Sequence, residues 1–226
     1  MLNCPLCRSP HTSPYHQDGT RSYNHCSTCG IAFVRPEFLY SKTQEKEIYD
    51  HHQNNPENLG YRKHLSKLTT PLIKTLGQPS RGLDYGSGPG PTLSLICEEN
   101  GMEMQIYDPF YAANEAVLKP QTPYDFITMT EVIEHIYKPN EDINKLWQIL
   151  QSNGYLAIMT SLNESTGLNE STGLNEGAEF FANWHYTKDP THVCFYSKQT
   201  FRWLASHLKA ELTFINDNVI FLRKTT

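Results

Sequence analysis

The chain has 226 residues, 38% of them hydrophobic and 12% aromatic, enough for one substantial core plus a small appendage. Its formal net charge of -5 argues against broad nonspecific binding to nucleic acid, which relies on clustered Lys and Arg. No apolar run approaches the length of a signal peptide or membrane span, so the expectation is a cytoplasmic protein without a membrane partner.

Four of the six cysteines precede residue 30, as Cys4-Pro5-Leu6-Cys7 and Cys26-Ser27-Thr28-Cys29. Two C-x-x-C knuckles at this separation fit a four-cysteine zinc ribbon over residues 1–35, each knuckle giving two thiolates to a tetrahedral ion. Two disulfides would use the same spacing, but nothing marks the chain for secretion. So short a segment cannot build a core, and metal binding would supply much of its folding free energy. Arg8 and Arg21 are the fixed cations between the knuckles, thin for nucleic-acid readout, so the ribbon reads as a structural or substrate-lid element. Cys97 and Cys194 fall in apolar stretches and read as packed thiols. Residues 36–78 read as a helical linker. It holds a polar helix over 41–51, a loop over 53–60 and an amphipathic helix over 61–76 with Leu65, Leu68, Leu72 and Leu76 on one side.

At Gly82-Leu83-Asp84-Tyr85-Gly86-Ser87-Gly88-Pro89-Gly90 an apolar strand end runs through an acid into alternating glycines. Such spacing lets a ligand approach the backbone and permits the φ > 0 geometry of a strand-to-helix turn. Pro91 stands where a dinucleotide fingerprint needs its third glycine, and no Gly-Lys-Ser/Thr follows to make a P-loop. The remaining pattern, acidic-x-Gly-x-Gly-x-Gly, resembles the first motif of class I S-adenosylmethionine (SAM) dependent methyltransferases, which have a Rossmann-like α/β fold. The resemblance implies that Asp84, Tyr85, Gly86, Ser87, Gly88 and Gly90 hold the methionine part of SAM, with Asp84 facing its ammonium group. It also implies that the helices of 36–78 cap the cofactor, which makes Tyr61 and Arg62 candidates.

A helix is predicted over 92–100, then a strand over 102–107 that brings Asp108 to its carboxyl end. A carboxylate there can accept both hydroxyl hydrogens of a ribose, and Pro109 turns the chain. The span from Asp108 to Tyr124 is too short for the usual helix, third strand and adenine-contacting acid, so that strand is expected to be abbreviated or absent. The strand 124–130, running into Glu131-Val132-Ile133-Glu134-His135, looks like the fourth-strand motif of the small-molecule branch of the class and places Thr130 and Glu131 at the cofactor. Asn140 is expected to cap a helix over 141–151, Gly154 to break it, and 155–160 to form the next strand. Leu162–Gly167 recurs at 168–173 and starts again at 174–176, a polar tandem repeat that reads as a mobile loop. Ser197 caps a helix ending at Leu208, and strands over 211–215 and 219–223 make an antiparallel hairpin resembling the last two strands of this fold. The ribbon, the Tyr-Asp-Pro-Phe stretch at 107–110 and the segment Trp184 to Val193 together resemble a bacterial zinc-ribbon branch of these enzymes, with 79–226 as the SAM domain.

A methyl group on a sulfonium needs an aligned nucleophile and a proton acceptor rather than a covalent residue. His135 and His192 lead the candidate bases because histidine titrates near neutral pH, with Glu131 and His185 behind them. Glu131, Glu134 and His135, at i, i+3 and i+4, would share one side of a helical turn. With His185 or His192 they could hold Mg²⁺ or Mn²⁺, as in the resembling small-RNA 2'-O-methyltransferases. The expected activity is SAM-dependent methyl transfer to an O, N or C atom of a small or polar metabolite. RNA methylation guided by the ribbon and a noncatalytic ribbon module are the alternatives.

Overall fold

The computed structural model describes residues 2–51, 54–119, 121, 123–164 and 174–225, with the backbone alone at 174–178. Strands β1 (Thr12–Gln17), β2 (Ser22–Cys26) and β3 (Ala32–Val34) open the chain, followed by helices α1 (Lys42–Tyr49) and α2 (Leu59–Leu76). Then come β4 (Arg81–Tyr85), α3 (Thr92–Glu99), β5 (Glu103–Tyr107), β6 (Tyr124–Thr130), α4 (Pro139–Ile149) and β7 (Leu150–Met159). The last elements are α5 (Leu174–Asn183), β8 (Cys194–Phe195), α6 (Lys198–Leu208), β9 (Ala210–Phe214) and β10 (Val219–Lys224).

Six strands make the central sheet in the order β5-β4-β6-β7-β10-β9. The first four run parallel, and β10 and β9 are antiparallel, as the terminal hairpin predicts. β5 is an edge strand, and a single 3-10 turn, Glu115–Leu118, lies between it and β6 among the described residues. The short span after Asp108 therefore leaves out the third strand.

Period-two alternation sends the central strands into two cores. On β10, Ile220 and Leu222 join one and Val219 and Phe221 the other; on β7, Leu156 and Ile158 oppose Ala157 and Met159. The Leu65, Leu68 and Leu72 stripe of α2 packs with Leu93, Ile96 and Cys97 of α3 in the second core. The first core continues without a break into the ribbon through Leu6, Tyr23, Ile31 and Phe33. β1, β2, β3 and β8 form one antiparallel sheet, so the ribbon shares a sheet with residues 194–195, across the boundary drawn at residue 35. Cys97 and Cys194 are buried thiols, as expected.

A Cβ on Gly82 would lie 2.2 Å from Phe126 Cζ on the neighbouring β6, inside a fully buried ring. Gly82→Ala is expected to cost about 1–3 kcal/mol by overpacking. In urea melts, Gly82→Ala combined with Phe126→Leu should recover part of that loss, because the two side chains compete for one space.

Three local expectations change. α4 starts at Pro139, whose fixed φ suits the first helical position, and Asn140 instead donates from Nδ2 to Leu6 O, 2.7 Å away in the ribbon. Gly154 lies inside the long β7 rather than before it, because a Cβ there would meet Asp125 O at 2.8 Å. The third start of the repeat opens α5, while 165–173 lie outside the described residues. No described helix is long and apolar enough to cross a membrane.

Candidate functional site

The carboxyl ends of β4, β5 and β6 open onto a cavity of about 800 Å³. Open α/β sheets bind ligands at this end. Every residue expected to hold the cofactor lines it except Gly90. Gly86 takes φ 82° with Val132 packed where its Cβ would sit, and its N–H, like that of Ser87, donates to Tyr107 O. This wraps the turn around the end of β5.

The Asp108 carboxylate is engaged within the protein itself. Its Oδ2 accepts from Gly88 N (3.0 Å), and its Oδ1 accepts from Phe110 N (2.8 Å) and Tyr111 N (3.1 Å), so one carboxylate orders both loops. Asp84 is buried, its Oδ1 accepting from Thr128 Oγ1 at 2.8 Å, and burial pushes its pKa up to about 6. Gly90 serves a different neighbour. Its missing Cβ makes room for the Asn54 carbonyl, which would lie 2.2 Å away and which accepts from Thr92 Oγ1 at 3.1 Å. The 54–58 segment thus seats on the glycine turn, and Tyr61 and His64 of α2 complete the wall. Arg62 turns to α3, pairing with Glu99 and donating to Pro56 O, and does not line the cavity.

The opposite rim carries His135, His192, Asp189, Tyr49, Glu45 and Tyr137. The two imidazoles lie edge to face with centroids 4.6 Å apart. His192 Nδ1 is 2.7 Å from Tyr186 O, a partner that can only accept, so Nδ1 carries the proton and Nε2 is the basic nitrogen. Asp189 Oδ2 lies 3.8 Å from that Nε2. Burial lowers the His192 pKa, with Asp189 opposing it, so the ring is neutral at pH 7. Burial would raise Asp189, but the Thr191 hydroxyl and amide outweigh it and hold the carboxylate ionised. His135 Nδ1 lies 3.1 Å from Thr191 O and 3.2 Å from the Tyr49 hydroxyl. His185 is exposed on a 3-10 turn and lines no part of the cavity.

Glu131 leaves the geometry expected of it. Its φ is 52°, in the left-handed region, and the following turn is 3-10 over Ile133–His135 rather than α-helical. Its Oε2 accepts from the Tyr186 hydroxyl at 3.1 Å and its Oε1 is 3.5 Å from His64 Nε2. Burial opposes ionisation of Glu131, but these two partners lower its pKa overall. Glu134 is fully buried, accepts from Thr160 Oγ1 (3.0 Å) and shares a hydrogen bond with the same Tyr186 hydroxyl. Burial, then the nearby Glu131 charge, push its pKa well up, which favours the neutral form. The set with ligand atoms inside 4.8 Å is Glu134, His135 and His192, without Glu131. Mg²⁺ and Mn²⁺ favour charged and neutral oxygens over imidazole. One buried carboxyl, already engaged by two hydroxyls, beside two imidazoles offers them few oxygens. Tyr186 and Thr160 hydrogen-bond this pair of acids; the sequence placed Tyr186 in the Trp184 to Val193 segment and Thr160 at a strand end, with nothing local to join either to the acids.

The ribbon cysteines fit zinc. Cys4 and Cys29 sulfurs are 3.6 Å apart, Cys7 and Cys26 3.5 Å, and all four lie within 4.8 Å of one another. A tetrahedral ion with Zn–S bonds of about 2.3 Å needs edges of about 3.8 Å. All four are free thiols here, an arrangement that suits zinc better than two disulfides. A hydrogen bond from Cys29 lowers Cys4 to about 6, while burial raises Cys7 to about 12. One thiolate suppresses the next, and a cation would relieve that opposition.

Residues 51–212 match a family described as "Methyltransferase domain". No curated protein matches the chain in sequence. The crystal structure of a protein from Pyrococcus horikoshii OT3 is 13% identical over 80% of this chain and 99% of its own, with a TM-score of 0.51. The plantazolicin methyltransferase BpumL, solved in complex with SAH, is 14% identical over 85% of this chain and 91% of its own, with a TM-score of 0.50. At such identities the likeness is one of fold.

Proposed function

The chain belongs to the methyltransferase-domain family and is a SAM-dependent methyltransferase, and from that premise we propose that it methylates an O, N or C nucleophile of a small or polar metabolite. The observation that carries this reading is the single cavity in which the glycine turn and Asp108 form one wall and His135, His192 and Tyr49 the other. Its volume of about 800 Å³ lies in the range of small-ligand sites. A polynucleotide acceptor is disfavoured. The acids Glu45, Glu141, Asp142 and Asp189 outnumber Lys42 and Lys138 in the lining away from the glycine turn.

Asp84, Gly86, Ser87, Gly88 and Asp108 would hold SAM, which when bound supplies a sulfonium-activated methyl group. His192 then accepts, at Nε2, the proton that an O–H or N–H nucleophile loses. The Tyr186 carbonyl fixes the tautomer of His192, and the ionised Asp189 stabilises the imidazolium that forms. Tyr49, Phe110 and Tyr137 supply an aromatic wall that excludes water and favours a planar acceptor.

The test is transfer of label from methyl-labelled SAM into fractionated cell extract. Label is expected in low-molecular-weight products, and His192→Ala is expected to lower the rate by about 10²–10⁴-fold with SAM binding retained. Because the His192 pKa lies below its usual value, the wild-type rate should rise with pH through a midpoint below 6.5 and then level off. Label entering RNA, or an unchanged rate in His192→Ala, would remove the reading.

A further inference from the structure

Arg21 sits at the turn between β1 and β2 with 6% of its surface exposed. A charged guanidinium this deep needs its hydrogens satisfied. Nη1 donates to the carbonyls of Pro190 and His192, each at 3.0 Å, and Nη2 donates to Thr187 O at 2.6 Å. All three carbonyls belong to the segment that carries Tyr186, Asp189 and His192.

A second set of contacts joins the same two regions independently. β3 pairs with β8, Val34 N donates to Val193 O (2.9 Å), and Val193 N donates to Glu134 O (2.8 Å). The ribbon strands that make these contacts end or begin at the cysteine cluster: β2 finishes on Cys26 and β3 starts just after Cys29. Closure of the knuckles therefore fixes the ends of strands that pack into the first core, and metal binding at such a cluster couples to local folding.

We propose that the metal-closed ribbon is what positions the acceptor rim, and that Arg21 is the positioning residue that transmits knuckle closure to His192. Only the name "acceptor rim" rests on the methyltransferase reading. The mechanical coupling stands on the contacts themselves. Removing the metal, or the guanidinium, releases residues 187–193 while the glycine turn, which the ribbon does not touch in these contacts, keeps its shape. Lysine cannot replace Arg21, because one ammonium on a flexible stem does not span three divergent carbonyls.

The experiment compares the full-length zinc-loaded protein, the same protein treated with a chelator, and zinc-loaded Arg21→Lys. Amide hydrogen exchange over 185–196 is read beside SAM affinity by calorimetry and zinc content. In both altered forms, exchange at 187–193 is expected to quicken by about tenfold or more, with SAM affinity within about threefold of the starting protein. Arg21→Lys is expected to keep its zinc, which separates loss of the clamp from loss of the metal. Unchanged protection after chelation would overturn the coupling, and unchanged protection in zinc-bound Arg21→Lys would overturn the role of Arg21. Loss of SAM affinity in step with the faster exchange would also overturn it, by showing that the ribbon supports the whole fold rather than the rim. If the untreated protein binds no SAM, the methyltransferase reading fails instead, and the exchange comparison still decides the coupling.

Discussion

Asp84→Asn is expected to weaken SAM binding about a hundredfold and, in the same protein, to stabilise the ligand-free fold at pH 8. Both effects come from one buried carboxylate. Among the described residues no cation lies beside Asp84, and burial raises it from 3.8 to about 6. A charge-assisted hydrogen bond to the SAM ammonium contributes about 2–3 kcal/mol, which is the hundredfold. Because the bond needs the carboxylate, wild-type affinity should fall by up to about tenfold per pH unit below about 6, and the asparagine variant should show no such fall. The stability effect has the opposite sign. A carboxyl whose folded pKa is raised contributes stability that is fully present below pH 3.8 and lost as pH rises through about 6. The shift is worth about 3 kcal/mol at the limit. Asparagine keeps the acceptor for Thr128 without ever ionising, so its advantage should be small at pH 4 and approach that value at pH 8. Calorimetric SAM titrations and urea melts at both pH values check the pair. Equal affinity in Asp84→Asn would show that the ammonium is held elsewhere.

Glu134→Ala is expected to destabilise the protein by about 3 kcal/mol, whereas Glu134→Gln should leave it close to wild type. The alanine removes the hydrogen-bond partner shared by two buried hydroxyls, Thr160 and Tyr186, and leaves a void beside them. Glutamine reproduces the neutral carboxyl in shape and retains an acceptor. The pH dependence separates this account from simple packing. The Glu134 pKa is raised by burial and by Glu131, so its contribution is fully present below its ordinary value of 4.5 and is lost as pH rises through the folded value. Glu134→Gln should therefore gain on wild type as pH increases, and urea midpoints at pH 5 and pH 8 measure the difference. A glutamine variant as unstable as the alanine one would mean that Glu134 is ionised in the fold.

The glycine-turn wall of the cavity was legible in the sequence because its motif is local. Asp84 to Gly88 are contiguous, and Asp108 follows one helix and one strand later, so spacing and residue type suffice to place them on one cavity. The missing third strand was legible for the same reason, since chain length between Asp108 and Tyr124 limits what can fit. The acceptor rim was readable only in part. His135 and His192 meet with ring centroids 4.6 Å apart although 57 positions apart in the chain, and the sequence could name each but not their contact. Glu131 misled the reading because helical spacing was assumed where the backbone takes a left-handed φ of 52°. Arg62 misled it too, since an amphipathic pattern does not say which neighbour a long cation reaches.

What the sequence determined by itself was the class of fold and the cofactor, through short motifs that resemble those of a known family, and a four-cysteine set whose spacing fits zinc. Tertiary structure decided which charges survive burial and what the ribbon is attached to. Neutral Glu134, ionised Glu131 and the Arg21 clamp all arise from groups brought together over more than fifty residues, or from desolvation that no local pattern records. The histidine rim of the cavity is therefore a property of the packing, while the glycine-turn wall is a property of the chain.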